Sequence, residues 1–130
     1  MNRNILLAAA ILGATGVMFG AFGTHALKEL ISIEAQQSFE TGVRYQMYHA
    51  FFLLFVGIVP NIQAKHKKTL LYLVLLGVAL FSGSIYFLST NSLTNFDFRA
   101  IGFITPIGGL CIIAAWCLLF LKLLKLKSKD

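Results

Sequence analysis

The chain alternates four long apolar stretches with short polar ones. The stretches run from about Asn4 to Gly23, Gly42 to Val59, Thr69 to Leu88 and Ile101 to Leu121. Each approaches the roughly 20 residues that a helix needs to cross hydrocarbon. Arg44, at the head of the second, is the only charge inside any of them. The pattern predicts an all-α fold: an integral membrane four-helix bundle forming one domain over residues 1–130. The first stretch loosely resembles a signal peptide, but its apolar run continues through Val17-Met18-Phe19-Gly20-Ala21-Phe22, long for a signal core, so it is expected to be retained. In the connection that follows, Ser32 is placed to cap a helix beginning near Ile33 or Glu34. One long helix is expected from about Glu34 to Val59, its first two turns projecting from the membrane or lying in its interface and Pro60-Asn61 ending it. The middle loop, Asn61 to Lys68, is short, as suits antiparallel neighbours.

Composition agrees with this reading. The 130 residues are 58% hydrophobic and only 12% charged, against about a quarter charged in soluble domains. The net charge of +6 does not indicate nucleic acid, because the lysines cluster at the ends of apolar runs. One side of a four-crossing topology carries Arg3, Lys65, Lys67, Lys68, Lys122, Lys125, Lys127 and Lys129; the other carries Lys28, Arg44 and Arg99. Lys and Arg near span ends mark the cytoplasmic side, so both termini are expected there. Four of the acidic residues, Glu29, Glu34, Glu40 and Asp97, fall outside, and Asp130 falls inside.

The second helix holds the most specific chemistry. If Val59 marks the inner edge, His49 lies about 15 Å and Arg44 about 22 Å up the helix, within a hydrocarbon core about 30 Å thick. Such groups need partners. Gln37, Glu40, Thr41, Arg44 and Tyr48 share one face, bordered by Tyr45 and His49. Glu40 precedes Arg44 by four residues, the favoured orientation for a helical ion pair, and that pair is expected. With His25 at the outer end of the first span and Arg99 in the last outer loop, the candidate polar cluster, binding or structural, is His25, Glu40, Arg44, Tyr45, Tyr48, His49 and Arg99.

Helix packing leaves its own signature. Ala9, Gly13, Gly16, Gly20 and Gly23 form a small-residue stripe about 80° wide on the first span. Such stripes allow close backbone approach in lipid, here within the chain or across a dimer. Gly102, Thr105, Pro106, Gly109 and Trp116 share a stripe on the fourth, where Pro106 is expected to kink the helix. Gly83 lies between Ser82 and Ser84, which read as interhelical hydrogen-bonders. The expected packing set is therefore Gly13, Gly16, Gly20, Gly23, Gly83, Gly102, Pro106 and Gly109. Cys111 and Cys117, six residues apart on one apolar run, cannot bridge each other and read as buried small hydrophobes.

His25 and His49 are a conceivable axial pair for haem or an incomplete metal site, but their depths differ by more than a turn. Structural, hydrogen-bonded histidines are expected, with no cofactor and no metal. No catalytic triad, paired carboxylates, phosphate-binding loop or Cys-x-x-Cys is present, so the chain is not expected to be an enzyme.

Four motifs carry a resemblance. They are Gly20-Ala21-Phe22-Gly23-Thr24-His25-Ala26-Leu27, Thr41-Gly42-Val43-Arg44-Tyr45-Gln46-Met47-Tyr48-His49-Ala50, Phe81-Ser82-Gly83-Ser84-Ile85-Tyr86, and Gly102-Phe103-Ile104-Thr105-Pro106-Ile107-Gly108-Gly109 followed by Trp116. From about Leu6 to Trp116 the chain resembles the domain-of-unknown-function 423 family of small bacterial inner-membrane proteins, to which transmembrane protein 256 of animals is similar. The resemblance implies a four-helix, multi-pass protein of the bacterial inner (plasma) membrane and supplies no substrate, cofactor or catalytic residue. Thr24 stands where the family usually has Ala, Ala115 precedes the Trp where Gly is usual, and the loop from Thr90 to Arg99 looks longer than typical.

Two functions compete on this reading. One is a non-enzymatic scaffold or accessory protein that binds a partner or lipid headgroups through the outer polar cluster, with Arg44 or Arg99 holding a phosphate. The other is a small transporter or channel acting as an oligomer; the lack of a mid-span carboxylate counts against proton-coupled export. The expected partners are membrane lipids, a membrane protein or a second copy of the chain, and no nucleic acid.

Overall fold

In the computed structural model, which describes residues 2–127, the chain forms four helices: α1 (Asn2–His25), α2 (Ile33–Ile58), α3 (Ala64–Ser89) and α4 (Ile104–Leu124). The charges assigned to Lys129 and Asp130 lie outside the described residues. Two short 3-10 turns, Asn91–Leu93 and Phe98–Ile101, interrupt the last connection. As expected, Ser32 caps α2: its hydroxyl accepts from the Ala35 N–H at 3.1 Å. The helix ends before Pro60-Asn61, and Asn61 takes a left-handed φ of 67°, a conformation Asn tolerates better than most residues.

Consecutive helices pack antiparallel. Along α1, Gly13, Gly16, Gly20 and Gly23 face Ala50, Met47, Val43 and Phe39 of α2 in turn. The small-residue stripe is therefore an interface within the chain. Ser82 of α3 donates to the Gly42 carbonyl of α2 at 2.7 Å, and Ser84 bonds Thr105 of α4, so both serines join helices as expected. One core runs through all four helices, from Ile5 and Ala9 through Leu53 and Val56, then Leu70 and Val74, to Ile112 and Ala115. A smaller cluster of Leu27, Ile31 and Phe39 closes the end that carries the α1–α2 connection.

Outside this core the surface is apolar. Ile11, Val17, Met18, Leu110, Ile113, Phe120 and Leu124 are all exposed. A water-soluble monomer does not present so continuous an apolar surface, whereas lipid solvates it. Three segments (α1, α3 and the one from Phe98 to Leu124) are long and apolar enough to cross a membrane by themselves. Helix α2 is polar enough to miss that standard. It runs beside α1 and α3, and its buried face meets them.

Several details differ from expectation. The middle loop is shorter, because α3 begins at Ala64 and includes Lys65 to Lys68. Pro106 does not kink α4. The helix starts at Ile104, which puts the proline in the first turn, where its missing N–H has no intrahelical acceptor to lose. Nor do Pro106, Gly83 and Gly102 pack helices together: Pro106 is exposed, a Cβ on Gly83 would meet nothing within 4 Å, and Gly102 faces only the Arg99 carbonyl of its own turn. Gly109 makes an ordinary contact with Phe81. The tight α3–α4 approach falls instead at Gly77 and Gly108, where a Cβ on Gly108 would lie 2.9 Å from the Gly77 carbonyl oxygen and 2.7 Å from the Leu80 carbonyl carbon. Cys117, expected to be buried, is exposed on α4.

These glycines differ in a measurable way. Backbone cannot yield as a flexible side chain does, so Gly108→Ala is expected to cost about 1–3 kcal/mol through overpacking. Gly83→Ala is expected to be neutral or to stabilise by up to about 1 kcal/mol through helix propensity. Thermal melts of the two variants in one detergent make the comparison.

Candidate functional site

The polar residues of α2 fall into three environments. The innermost centres on Gln46, which is 4% exposed. Its amide nitrogen donates to the Leu12 carbonyl at 3.0 Å and to the Thr15 hydroxyl at 2.7 Å on α1. Its carbonyl oxygen accepts from the Tyr86 hydroxyl of α3 at 2.6 Å. Thr15 passes its own proton to the Ile11 carbonyl at 2.7 Å. Both amide protons and the carbonyl of Gln46 are therefore engaged, and three helices are tied at one level.

One turn further along α2, His49 is 2% exposed and both its ring nitrogens are engaged. The indole N–H of Trp116 on α4 donates to Nε2 at 3.1 Å. Nε2 must therefore be the acceptor, which puts the ring proton on Nδ1, 2.6 Å from the Tyr45 carbonyl. The histidine is held as a neutral, single tautomer. Phe52 packs edge-on against Trp116, with ring centroids 4.6 Å apart. A shallow, apolar groove of about 540 Å³ opens beside them between α2 and α4, lined by Tyr45, Tyr48, His49, Ile112 and Trp116.

The third environment is a groove of about 450 Å³ between α1 and α2, at the end that carries their connection. Gly23, Phe39 and Val43 provide apolar wall; Lys28, Glu40 and Arg44 provide charge. Gln36 fixes the connection beside it, donating to the Lys28 and Ile31 carbonyls at 2.8 and 3.1 Å. The Arg44 guanidinium is exposed and makes one hydrogen bond, to the Thr41 hydroxyl at 3.1 Å. The expected Glu40–Arg44 ion pair does not form, nor does a neighbouring helix shelter Arg44. Both side chains are exposed, and an exposed helical pair is worth only about 0.3–0.5 kcal/mol, too little to hold two long side chains together.

The seven candidate residues are thus dispersed. Glu40 and Arg44 share the α1–α2 groove; Tyr45, Tyr48 and His49 line the α2–α4 groove. His25 is exposed at the end of α1 and is not brought to His49. Arg99 pairs with Asp97 at 3.0 Å in the last connection, the ion pair formed among the described residues. Hydrogen bonds from the Arg99 side chain and backbone N–H, aided by the Asn91 amide, hold the Asp97 carboxyl down at about 2. Lys28, Gln46 and Trp116 have roles that sequence reasoning did not assign them. For Gln46 a signal existed: it lies about 20 Å up the helix from Val59, between the two residues whose depth had already demanded partners.

A four-helix integral membrane protein with grooves at its helix seams is the class that these observations define. The family described as "Protein of unknown function (DUF423)" matches residues 19–109, and the chain belongs to it. It is 38% identical over 119 residues to a UPF0382 membrane protein of Staphylococcus haemolyticus, covering 88% of this chain and 93% of the relative. It is 33% identical over 131 residues to the UPF0382 inner membrane protein YgdD of Escherichia coli, covering 98% and 95%. The expected multi-pass inner-membrane location agrees with that relative's name. No solved structure matches the chain.

Two measurements probe this geometry. Gln46→Leu leaves the Tyr86 hydroxyl without its acceptor and should cost about 1–3 kcal/mol. Combined with Tyr86→Phe, the loss should fall well short of the sum of the two singles, because they share one bond; denaturation in mixed micelles reads both. The Asp97–Arg99 contact is complete above the ordinary carboxylate range and is lost as pH falls through about 2. In Arg99→Ala, an NMR titration should find the Asp97 carboxyl raised part of the way toward its ordinary value, because the backbone N–H of residue 99 and the Asn91 amide still hold it.

Proposed function

We propose that the chain is a non-enzymatic accessory protein of the inner membrane that holds a membrane-protein partner at the α1–α2 groove, both termini lying in the cytoplasm. The observation that carries this reading is the unspent chemistry of Arg44. Its guanidinium offers five N–H donors, uses one contact, with Thr41, and faces a groove with Lys28 and Glu40 on its walls. A carboxylate from a partner would complete a charge-assisted, bidentate pair there. Charges of both signs above an apolar wall match the mixed character of a protein surface. The lysine asymmetry between the two ends supports the orientation, which would put the groove on the periplasmic face. The fully engaged nitrogens of His49 support the non-enzymatic part: neither is free to accept a proton without breaking a contact.

Site-specific photo-crosslinking tests the reading. A photoreactive residue in place of Gln37, which also lines the groove, should yield one adduct of defined mass in native membranes. Losing charge-assisted bonds worth about 1.5–3 kcal/mol, Arg44→Ala should lower the yield about tenfold or more. An adduct unchanged by that substitution would sink the proposal.

A further inference from the structure

At the opposite end of the bundle the basic residues are not equivalent. Lys67 turns inward. It is 4% exposed, and its ammonium donates to the Val59 carbonyl at 2.6 Å and to the Asn2 side chain at 3.3 Å. It thereby caps the end of α2, where a cation also meets the negative end of the helix dipole. Lys68 lies over the Tyr72 ring, 5.9 Å from its centroid. Lys65 and His66 do neither. Together with Lys122 in the last turn of α4 and Lys125 at its C-cap, they line a cavity of about 350 Å³ between the start of α3 and the end of α4. Asn61, Ile62, Gln63 and Leu126 complete its lining. No carboxylate among the described residues contributes to it, and none of the three lysines forms an ion pair with a described residue.

We infer that Lys65, His66, Lys122 and Lys125 form a receptor for a phosphate-bearing anion, supplied by the headgroup of an anionic phospholipid. Three lysines on the walls of one cavity repel one another, and an anion among them relieves that repulsion. The cavity sits where the apolar stretches of α3 and α4 end, which is where a spanning helix leaves hydrocarbon for the headgroup region. Basic pockets between membrane helices suit headgroups of this kind. The walls are fixed independently of any ligand: the buried Lys67 anchors α3 to the end of α2, and Ile62 belongs to the core. The chemistry differs from that of the α1–α2 groove, which includes Glu40, and the two sites share no residue.

Native mass spectrometry of the full chain, released from nanodiscs of phosphatidylcholine doped with phosphatidylglycerol, tests the inference. The cavity variant replaces Lys65, Lys122 and Lys125 by Gln. A control replaces Arg3, Lys68 and Lys127 by Gln, removing equal charge from the same end without touching the cavity. The general attraction of basic residues to an anionic surface falls equally in both variants, whereas charge-assisted contacts to the phosphate are lost only from the cavity, so the cavity variant should retain phosphatidylglycerol at least tenfold less well than the control. Where the triple variant does not fold, the singles Lys122→Gln and Lys125→Gln should each lose severalfold. A second arm offers inorganic phosphate to the delipidated protein and reads broadening of its phosphorus NMR signal. Phosphate bound without phosphatidylglycerol would keep the site and overturn the lipid as its source. Equal retention by the cavity and control variants, with no phosphate bound, would overturn the site itself.

Discussion

Inside a bilayer no water satisfies a polar group left over by folding, and this condition governs how α2 can exist. The helix carries an amide and an imidazole at membrane depth. It is tolerated because Gln46 spends both protons on α1 and its oxygen on α3, while His49 takes a proton from α4 and gives one to its own backbone. All three neighbouring helices are thereby referred to α2. Packing alone does not supply this specificity, since lipid tails are as apolar as leucine and helices gain little by exchanging one for the other. The glycines serve the same end. Gly16 and Gly20 bring α1 onto Met47 and Val43, close enough for Gln46 to reach the Leu12 carbonyl across the interface.

The same condition separates structural from available polar groups. Gln46, His49, Ser82 and Lys67 are buried with their partners named, and each joins two or more elements. Ser89 is the exception among the described residues, with a buried hydroxyl that finds no partner. Arg44, Lys65, Lys122 and Lys125 lie at seam ends with donors to spare. The buried polar groups of the bundle are thus almost all engaged, and the unspent donors lie at its two ends. A polar residue deep in a membrane helix is therefore not by itself evidence of a ligand. The count of unspent donors discriminates, and it points to Arg44 rather than to His49.

Much of the fold was legible because membrane helices announce themselves by length and apolarity. The Ser32 cap, the stop at Pro60-Asn61, the glycine face of α1 and the bridging serines all follow from local rules. The departures from expectation have separate physical sources. Pro106 was read against a helix thought to begin at Ile101; a shift of three residues moves it into the first turn and removes its consequence. Gly83 and Gly102 were chosen by motif and stripe, but which glycine touches a neighbour depends on the rotation of a helix about its axis, a tertiary quantity. That rotation put Gly77 and Gly108 at the α3–α4 approach instead. The candidate site was legible by residue type and not by grouping. Five of the seven residues, close in projection on α2, were divided because that helix presents different faces to α1 and α4, and His25 and Arg99 lie on other elements. Glu40 and Arg44 had the spacing of a pair without the burial that would have made pairing worthwhile.

His49 illustrates how a tertiary contact changes the meaning of a residue. Read along the sequence, a histidine at this depth is expected to be structural, yet haem and metal remain conceivable there, since an imidazole can accept or donate at either nitrogen. Trp116, on the far helix, removes that ambiguity. An indole nitrogen is a donor only, so its approach to Nε2 requires a lone pair there. A second proton on the ring would set two N–H groups against each other in a low-dielectric surrounding, and an iron or zinc ion would have to displace the tryptophan. The contact holds α4 to α2 as long as the imidazole stays neutral and uncoordinated. Structural use and chemical use of this ring are therefore mutually exclusive in this fold, and the geometry is that of structural use.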